Sequence, residues 1–274
     1  MRERTIGLLL AVPAIATIAL LYMMPLLASV TGAFETEAGF GLDNFIKARD
    51  LYTTDILYTL LIVSASTLII AAFSVAIAGY LTLGENPKAV AILRWLYRWP
   101  LFIPFIVVGQ VLRTFLAKNG LMNNLLVAGG ILTPMQTMSF LDWRGIVIAF
   151  VWKQTPFVTL LLAGAMASID RATIEAARNL GASRLRILFE IVVPQVRTTL
   201  FVGMVLSFVT MMSVLSVPLM ISAQSPTMIT ADIAFRINAY GDYGVANALG
   251  MISLIMTMAV AIFYLSHNLK EKAR

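Results

Sequence analysis

Two places in this sequence carry charge where charge does something. The first is Lys153, in Trp152-Lys153-Gln154-Thr155-Pro156, inside an apolar run from about Gly145 to Ile169. At the helical rise it lies roughly 12 Å below the start of that run, at hydrocarbon depth if the run crosses a bilayer. An ammonium there is costly and either serves an internal polar site or escapes by snorkelling or pairing. Both readings stand: Lys153, with Gln154 and Thr155, lines a solute route, or Lys153 is structural. The second place is the charged stretch 168–197, SIDRATIEAARNLGASRLRILFEIVVPQVR, set between two apolar runs. Enzymatic chemistry has little to stand on. The sequence has no GxxxxGK[ST] phosphate loop, no HExxH, no GxSxG elbow and no cysteine. Its one histidine, His267, sits near the end. We therefore expect no catalytic residue, no metal ligand and no cofactor, and a role that is electrostatic and mechanical.

The stretch 168–197 predicts two short helices and a hinge. Asp170 caps the first helix, which runs through the good helix formers Glu175, Ala176, Ala177 and Arg178 to Leu180. Gly181 stops it, because a residue without Cβ can turn where others strain. Ser183 caps a second helix whose Leu185, Leu188, Phe189 and Val192 make one apolar face opposite Arg184, Arg186 and Glu190. Pro194 is expected to end that helix and admit the next apolar run.

Glu175-Ala176-Ala177, Gly181-Ala182, Ile191 and Pro194 resemble the EAA loop of membrane subunits of binding-protein-dependent ABC importers. Val193 stands where that family usually has Leu, an apolar exchange. The resemblance implies that the loop faces the cytoplasm and docks as a coupling helix in a cleft of an ATPase subunit. It assigns coupling to Glu175, Ala176, Ala177, Gly181, Ala182 and Pro194. A bland amphipathic interfacial helix would not need an Ala pair, a Gly hinge and a Pro at these offsets.

The elements that position both places must be membrane helices. A chain of 274 residues that is 59% hydrophobic and 12% charged cannot bury so much apolar surface in one water-soluble core. Apolar runs predict six spans, at about Ile6–Val30, Ile56–Leu83, Pro100–Leu116, Gly145–Ile169, Val196–Ile221 and Gly244–Leu265. Pro100 and Pro104 should bend the third, and Pro156 should loosen the fourth beside Lys153. The acidic stretch from Thr31 to Asp55, the segment 117–143 with a short surface helix, and the segment 222–243 read as external loops. Lys and Arg concentrate at both ends, in the loop 84–98 and in the stretch 168–197, which places these inside and both termini in the cytoplasm. The basic residues flank apolar runs rather than forming a face, so the net charge of +6 is a topology signal and nucleic acid is not a partner.

The fold expectation is thus an all-α, polytopic helix bundle, one permease domain over 1–274, similar to type I ABC importer permeases. The resemblance implies a bacterial plasma (inner) membrane location and four kinds of partner. These are a pair of ATP-binding subunits, a second permease, an extracytoplasmic solute-binding protein and the lipid bilayer. The second permease is expected to be a different chain, with a copy of this one as the alternative. The wording from Glu175 to Ser183, Val217-Pro218-Leu219 and the stretch after Tyr240 look more like polyamine, phosphonate and iron permeases than like sugar permeases, which more often place Asp before the Gly. A pathway-facing Lys153 would repel a polycation and favour an anionic or zwitterionic solute. A sugar-type permease is the alternative. An ion-driven secondary transporter would need inverted repeats and intramembrane carboxylates, and no Asp or Glu falls inside a span.

Overall fold

The computed structural model describes residues 11–37, 39–222 and 224–272, with side-chain surroundings through residue 263. Arg2, Arg4 and Arg274 lie outside the described residues, as does the start of the first span, and the side chains of His267, Lys270 and Lys272 lie outside those whose surroundings are described. In chain order the elements are α1 (Ala11–Phe34), a two-residue hairpin β1 (Glu35–Thr36) and β2 (Gly39–Phe40), α2 (Asp43–Leu83), α3 (Pro87–Leu96) and a 3-10 turn at Trp99–Phe102. There follow α4 (Phe105–Leu116), α5 (Leu121–Ala128), α6 (Trp143–Ala167), α7 (Arg171–Asn179), α8 (Arg184–Ser213), α9 (Ser216–Ile221), α10 (Ile229–Phe235) and α11 (Tyr243–Lys272). Five described helices are long and apolar enough to cross a membrane: α1, α2, α6, α8 and α11. A sixth crossing exists only if the bent pair Pro87–Phe102 and Phe105–Ala128 counts as one.

Three expectations change in the structure. The bend at Pro100 and Pro104 is a full break, with the two pieces at 106°. On its own, α4 has 12 residues, about 18 Å, which is short of a bilayer core of about 30 Å. The acidic stretch ahead of the second span is no loop beyond Leu42, because α2 starts at Asp43 and runs 41 residues. Finally, Pro194 does not end a helix. A π-turn at Leu188–Val192 carries α8 past it, and the Val193 amide reaches the Leu188 carbonyl. The same device precedes Pro25, where Ala19–Met23 is a π-turn and the Met24 amide reaches Ala19. Proline offers no N–H and its ring crowds the carbonyl four residues back, and a wider turn just before it relieves both.

The chain divides into two compact units, Met1–Thr54 with Ala231–Met256, and Asp55–Thr230 with Thr257–Arg274. In the first unit polar side chains fasten helix ends. The Asn44 amide donates to the carbonyls of Ala33 and Glu35 at 3.1 and 2.8 Å, and Ser29 donates to Asn247 at 2.9 Å. Arg236 stacks its guanidinium over the rings of Tyr52 and Tyr240, donates to the Tyr52 hydroxyl and pairs with Asp242 at 3.4 Å.

The second unit packs α6 against α8 and α9 against α4, around fully buried Ile146, Phe150, Leu162, Met166, Met211 and Met212. Many large apolar side chains of α1, α2 and α8 stay exposed, as lipid- or partner-facing surfaces require. The approach of α2 to α8 depends on Gly79, where a Cβ would lie 2.7 Å from Leu188 Cδ1. Gly79→Leu overfills that contact. We expect it to destabilise the detergent-purified protein by about 1–3 kcal/mol, read as a lowered midpoint of thermal unfolding.

The N-terminal end of α6 is capped by Asp142, which accepts the Arg144 amide at 2.9 Å while the Arg144 guanidinium closes on its other oxygen at 2.7 Å. The hydrogen bond from Arg144 holds the Asp142 carboxyl below its ordinary range. A depressed carboxyl stabilises the fold above its unfolded value, and that contribution is lost as pH falls through the folded one. Asp142→Ala is expected to cost about 1 kcal/mol at neutral pH and markedly less in acid, measured as the pH dependence of thermal unfolding.

Candidate functional site

The elbow between α6 and α8 forms as its residues dictate. The Asp170 carboxylate accepts the Ala172 amide at 3.0 Å and starts α7. At the other end the Ala182 amide bonds the Ala177 carbonyl at 3.0 Å and the Gly181 amide bonds that of Arg178 at 2.9 Å. These are the paired bonds of a Schellman stop, with Gly181 in the left-handed region at φ +81°. Ala177 and Ala182 are therefore the two ends of the longer closing bond, and neither is mere filler. Ser183 accepts the Arg186 amide at 3.3 Å and starts α8. Only Ile174 of α7 is buried, whereas Ile187, Leu188 and Val192 anchor the beginning of α8.

The outward side of the elbow is bare. Glu175, Ala176 and Gly181 are exposed, Ala177 and Ala182 are half-buried, and Leu180 is 89% exposed. Glu175 has no hydrogen bond or ion pair among the described residues. Leu185 and Phe189, expected on the apolar face of the second helix, are also exposed, at 69% and 61%. Pro194 is exposed on the continuous α8. Such a surface, an unpaired carboxylate and a fully presented leucine on a short, rigidly stopped helix, is suited to insertion into a partner's cleft.

Two arginines that sequence reading took as a helix former and a polar-face residue, and as topology signals, tie this elbow to α2. The Arg178 guanidinium donates to the carbonyl of Leu83, the last residue of α2, at 3.3 Å, where the helix dipole favours a cation. Arg184 pairs with Glu85 in the next loop. Their spacing, one before and one after Gly181, is visible in the sequence, but their partners lie a hundred residues away. Between α2 and α8 runs an apolar groove of about 670 Å³, lined by Ala72, Ala76, Gly79, Leu185, Leu188 and Phe189 among others, with Arg184 at one end.

The polar trio of the fourth span is not bare. Lys153 is half-buried, and its Nζ donates to the carbonyls of Pro100 and Leu101, each at 2.9 Å. Gln154 and Thr155 are 6% and 8% exposed. The Thr155 carbonyl accepts from Ser74 at 3.3 Å, and Thr155 borders a second apolar groove of about 580 Å³ with Phe73, Tyr97, Pro100 and Trp152. Pro156 sits inside α6 without ending it.

A polar cluster that sequence reading assigned to a solvated loop is buried. Asp55 is 3% exposed, and its Oδ1 accepts the Thr227 amide at 2.7 Å and the Ser225 hydroxyl at 3.3 Å. One turn on, Thr59 accepts the Ile229 amide at 2.9 Å. Together they satisfy the amides that lead into α10.

Comparison with known proteins points the same way as this geometry. Over residues 73–270 the chain matches the family described as binding-protein-dependent transport system inner membrane component. It is 27% identical to the trehalose/maltose transport system permease protein MalF of Thermococcus litoralis, covering 96% of this chain and 94% of that protein. It is 26% identical to the alpha-glucoside permease AglF of Rhizobium meliloti, over 94% of this chain and 81% of the relative. For the spermidine/putrescine permease PotB of Salmonella typhimurium the figures are 24%, 85% and 81%. In fold it is similar to a chain of the bacterial alginate ABC transporter crystallised with an alginate pentasaccharide-bound periplasmic protein. That match has a TM-score of 0.82 at 20% identity and covers 96% of this chain and 93% of that one. The family match spans well over half the chain, and the helices it covers carry the elbow described above: the chain belongs to the binding-protein-dependent transport system inner membrane components and is a multi-pass permease subunit of an ABC importer.

Proposed function

We propose that the elbow 168–197 is the handle by which separate ATP-binding subunits drive this permease. The observation that carries the proposal is Glu175, exposed and without a hydrogen-bond or ion-pair partner among the described residues, on a helix fixed at both ends by Asp170 and Gly181. In this reading Glu175 makes the charged contact in the ATPase cleft. Ala176 and Ala177 let the helix approach closely, Gly181 and Ala182 set the elbow's angle, and Pro194 with its π-turn carries α8 on from the elbow without a stop. ATP closes the two ATPase subunits, each moving one elbow, and the paired permeases alternate between inward- and outward-facing states. The bundle itself supplies no fuel site.

The partners are a pair of ATP-binding subunits, a second permease, most simply a different chain, and a solute-binding protein outside a bacterial inner membrane. The test is co-purification in mild detergent. An ATP-binding subunit and a second permease should travel with the chain, and Glu175→Arg should release the ATP-binding subunit but not the second permease. Retention of both by the variant would count against the elbow as the docking element.

For the solute, the saccharide reading has the broader support: relatives named for trehalose/maltose and alpha-glucosides cover nearly the whole chain. In addition, the Lys153 ammonium is engaged by backbone carbonyls, so its charge no longer argues for an anion. The polyamine and phosphonate reading rests on Leu180 standing where sugar permeases more often have Asp, and on the similarity to PotB. Thermal shift of the cognate binding protein with maltose, trehalose, spermidine, putrescine and a simple alkylphosphonate separates the readings directly.

A further inference from the structure

The break in the third span leaves backbone groups that a continuous helix would have paired. Pro104 has no N–H to offer the Pro100 carbonyl, which receives from the backbone a long 3.3 Å bond from Ile103. The Leu101 carbonyl loses its α-helical partner because the next helix starts afresh at Phe105, with the amides of Val107 and Val108 both turned to Pro104. A carbonyl that loses its helical amide and finds no other donor is costly wherever neighbouring side chains shield it from water.

Lys153 fills this gap from another helix. Its ammonium has three donors; two go to the Pro100 and Leu101 carbonyls at 2.9 Å, and the Phe105 ring lies 5.6 Å away. Phe105 in turn meets Phe150 edge-on at 6.5 Å, and Phe150 is fully buried one turn before Lys153 on α6. So α6 holds both sides of the break, the 3-10 turn by its lysine and the start of α4 by its phenylalanine. A Met at 153 would fill the same space without an ammonium to desolvate. What the cation adds is the grip on two carbonyls.

From Lys153 to its end, α6 rises about 21 Å and leads almost at once into the Asp170 cap of the elbow. We propose that Lys153 is a positioning residue: it pins the broken helix to α6, so that a displacement of the elbow carried along α6 moves the turn at Trp99–Phe102 with it. This rests on the elbow being the handle for the ATPase. The pin is the structural one of the two roles open to Lys153 in the sequence, and it gives that role a mechanical consequence.

The sequence has no cysteine, and Phe102 is 81% exposed, so Phe102→Cys provides a single thiol on this chain at the turn. In the complex purified with its ATP-binding subunits, the rate at which a maleimide fluorophore labels this thiol should change about fivefold or more when ATP and vanadate are added. Adding Lys153→Met should remove that response, while Lys153→Arg, which restores donors to the carbonyls, should keep most of it. A solely structural lysine would lower the yield of complex but leave the response intact in what assembles, and that result overturns the pin. If the thiol ignores nucleotide even with Lys153 present, the pin falls, whereas the elbow reading falls only if Glu175→Arg also keeps the ATP-binding subunit and transports like the parent. Should the Lys153→Met complex not accumulate, Pro104→Ala is the second probe. It returns a backbone N–H that competes for the Pro100 carbonyl with Lys153 still in place. It should shrink the response, and an undiminished response overturns the pin.

Discussion

Glu175→Arg is expected to abolish solute uptake while the chain still folds and inserts. The side chain is exposed and makes no hydrogen bond or ion pair among the described residues, so reversing its charge should change folding stability by no more than about 0.5 kcal/mol. In the docked complex the same change removes a charge-assisted contact and places a like charge against the residue that met it, a loss of about 2–5 kcal/mol. That converts to a fall in productive coupling of well over tenfold. Uptake in cells and binding-protein-stimulated ATP hydrolysis in proteoliposomes should collapse together, with membrane levels of the chain unchanged. Glu175→Gln, which keeps an acceptor and drops the charge, should be milder. Gly181→Val tests the elbow's angle by another route. Nothing lies within 4 Å of an added Cβ, so the substitution is opposed by the backbone alone, at φ +81°. An L-residue there costs about 1–2 kcal/mol, and a β-branched one resists it further, so the Schellman stop gives way and α7 is presented at a different angle. If either variant transports like the parent, the elbow is not the handle.

The elbow was legible because every device in it is local. Asp170, Ser183 and Gly181 act on backbone groups within a few residues of themselves, and the structure forms both caps and the stop where the residue types require them. The apolar runs were legible for a similar reason, since a bilayer demands length and greasiness of each helix separately. What the sequence hid depended on distant partners. Pro194 looked like a terminator, but a π-turn before it costs the helix little and lets α8 continue. Pro104 looked like a bend, and became a break because Lys153, 53 residues beyond Pro100, supplies the donors that a break needs. Likewise Arg178 and Arg184 read as cytoplasmic bases, although one caps α2 and the other pairs with Glu85.

Asp55 is the case with the largest consequence for stability. Its neighbours in sequence are polar and acidic, which signals a solvated loop, yet α2 starts twelve residues earlier and carries it into the interior, 3% exposed. A buried carboxylate persists only when its acceptors are used. Here the amide of Thr227 and the hydroxyl of Ser225 reach one oxygen, while Thr59 holds the Ile229 amide just below. Thr227, Met228 and Ile229 are themselves buried, so water cannot replace Asp55 when it is removed. Asp55→Ala therefore leaves the Thr227 amide without a partner and opens a void beside it. We expect a loss of about 2–4 kcal/mol, seen as a thermal midpoint several degrees lower in detergent and as new proteolytic cleavage within 222–230. Asp55→Asn keeps a carbonyl oxygen facing Thr227 and should lose roughly half as much or less. Thr59→Val added to Asp55→Ala should lose less than the two single changes summed, because both side chains hold the same five-residue segment and its release is felt only once. Strict additivity would mean that the two contacts hold the segment independently, and an Asp55→Ala protein as stable as the parent would mean that this buried carboxylate anchors nothing.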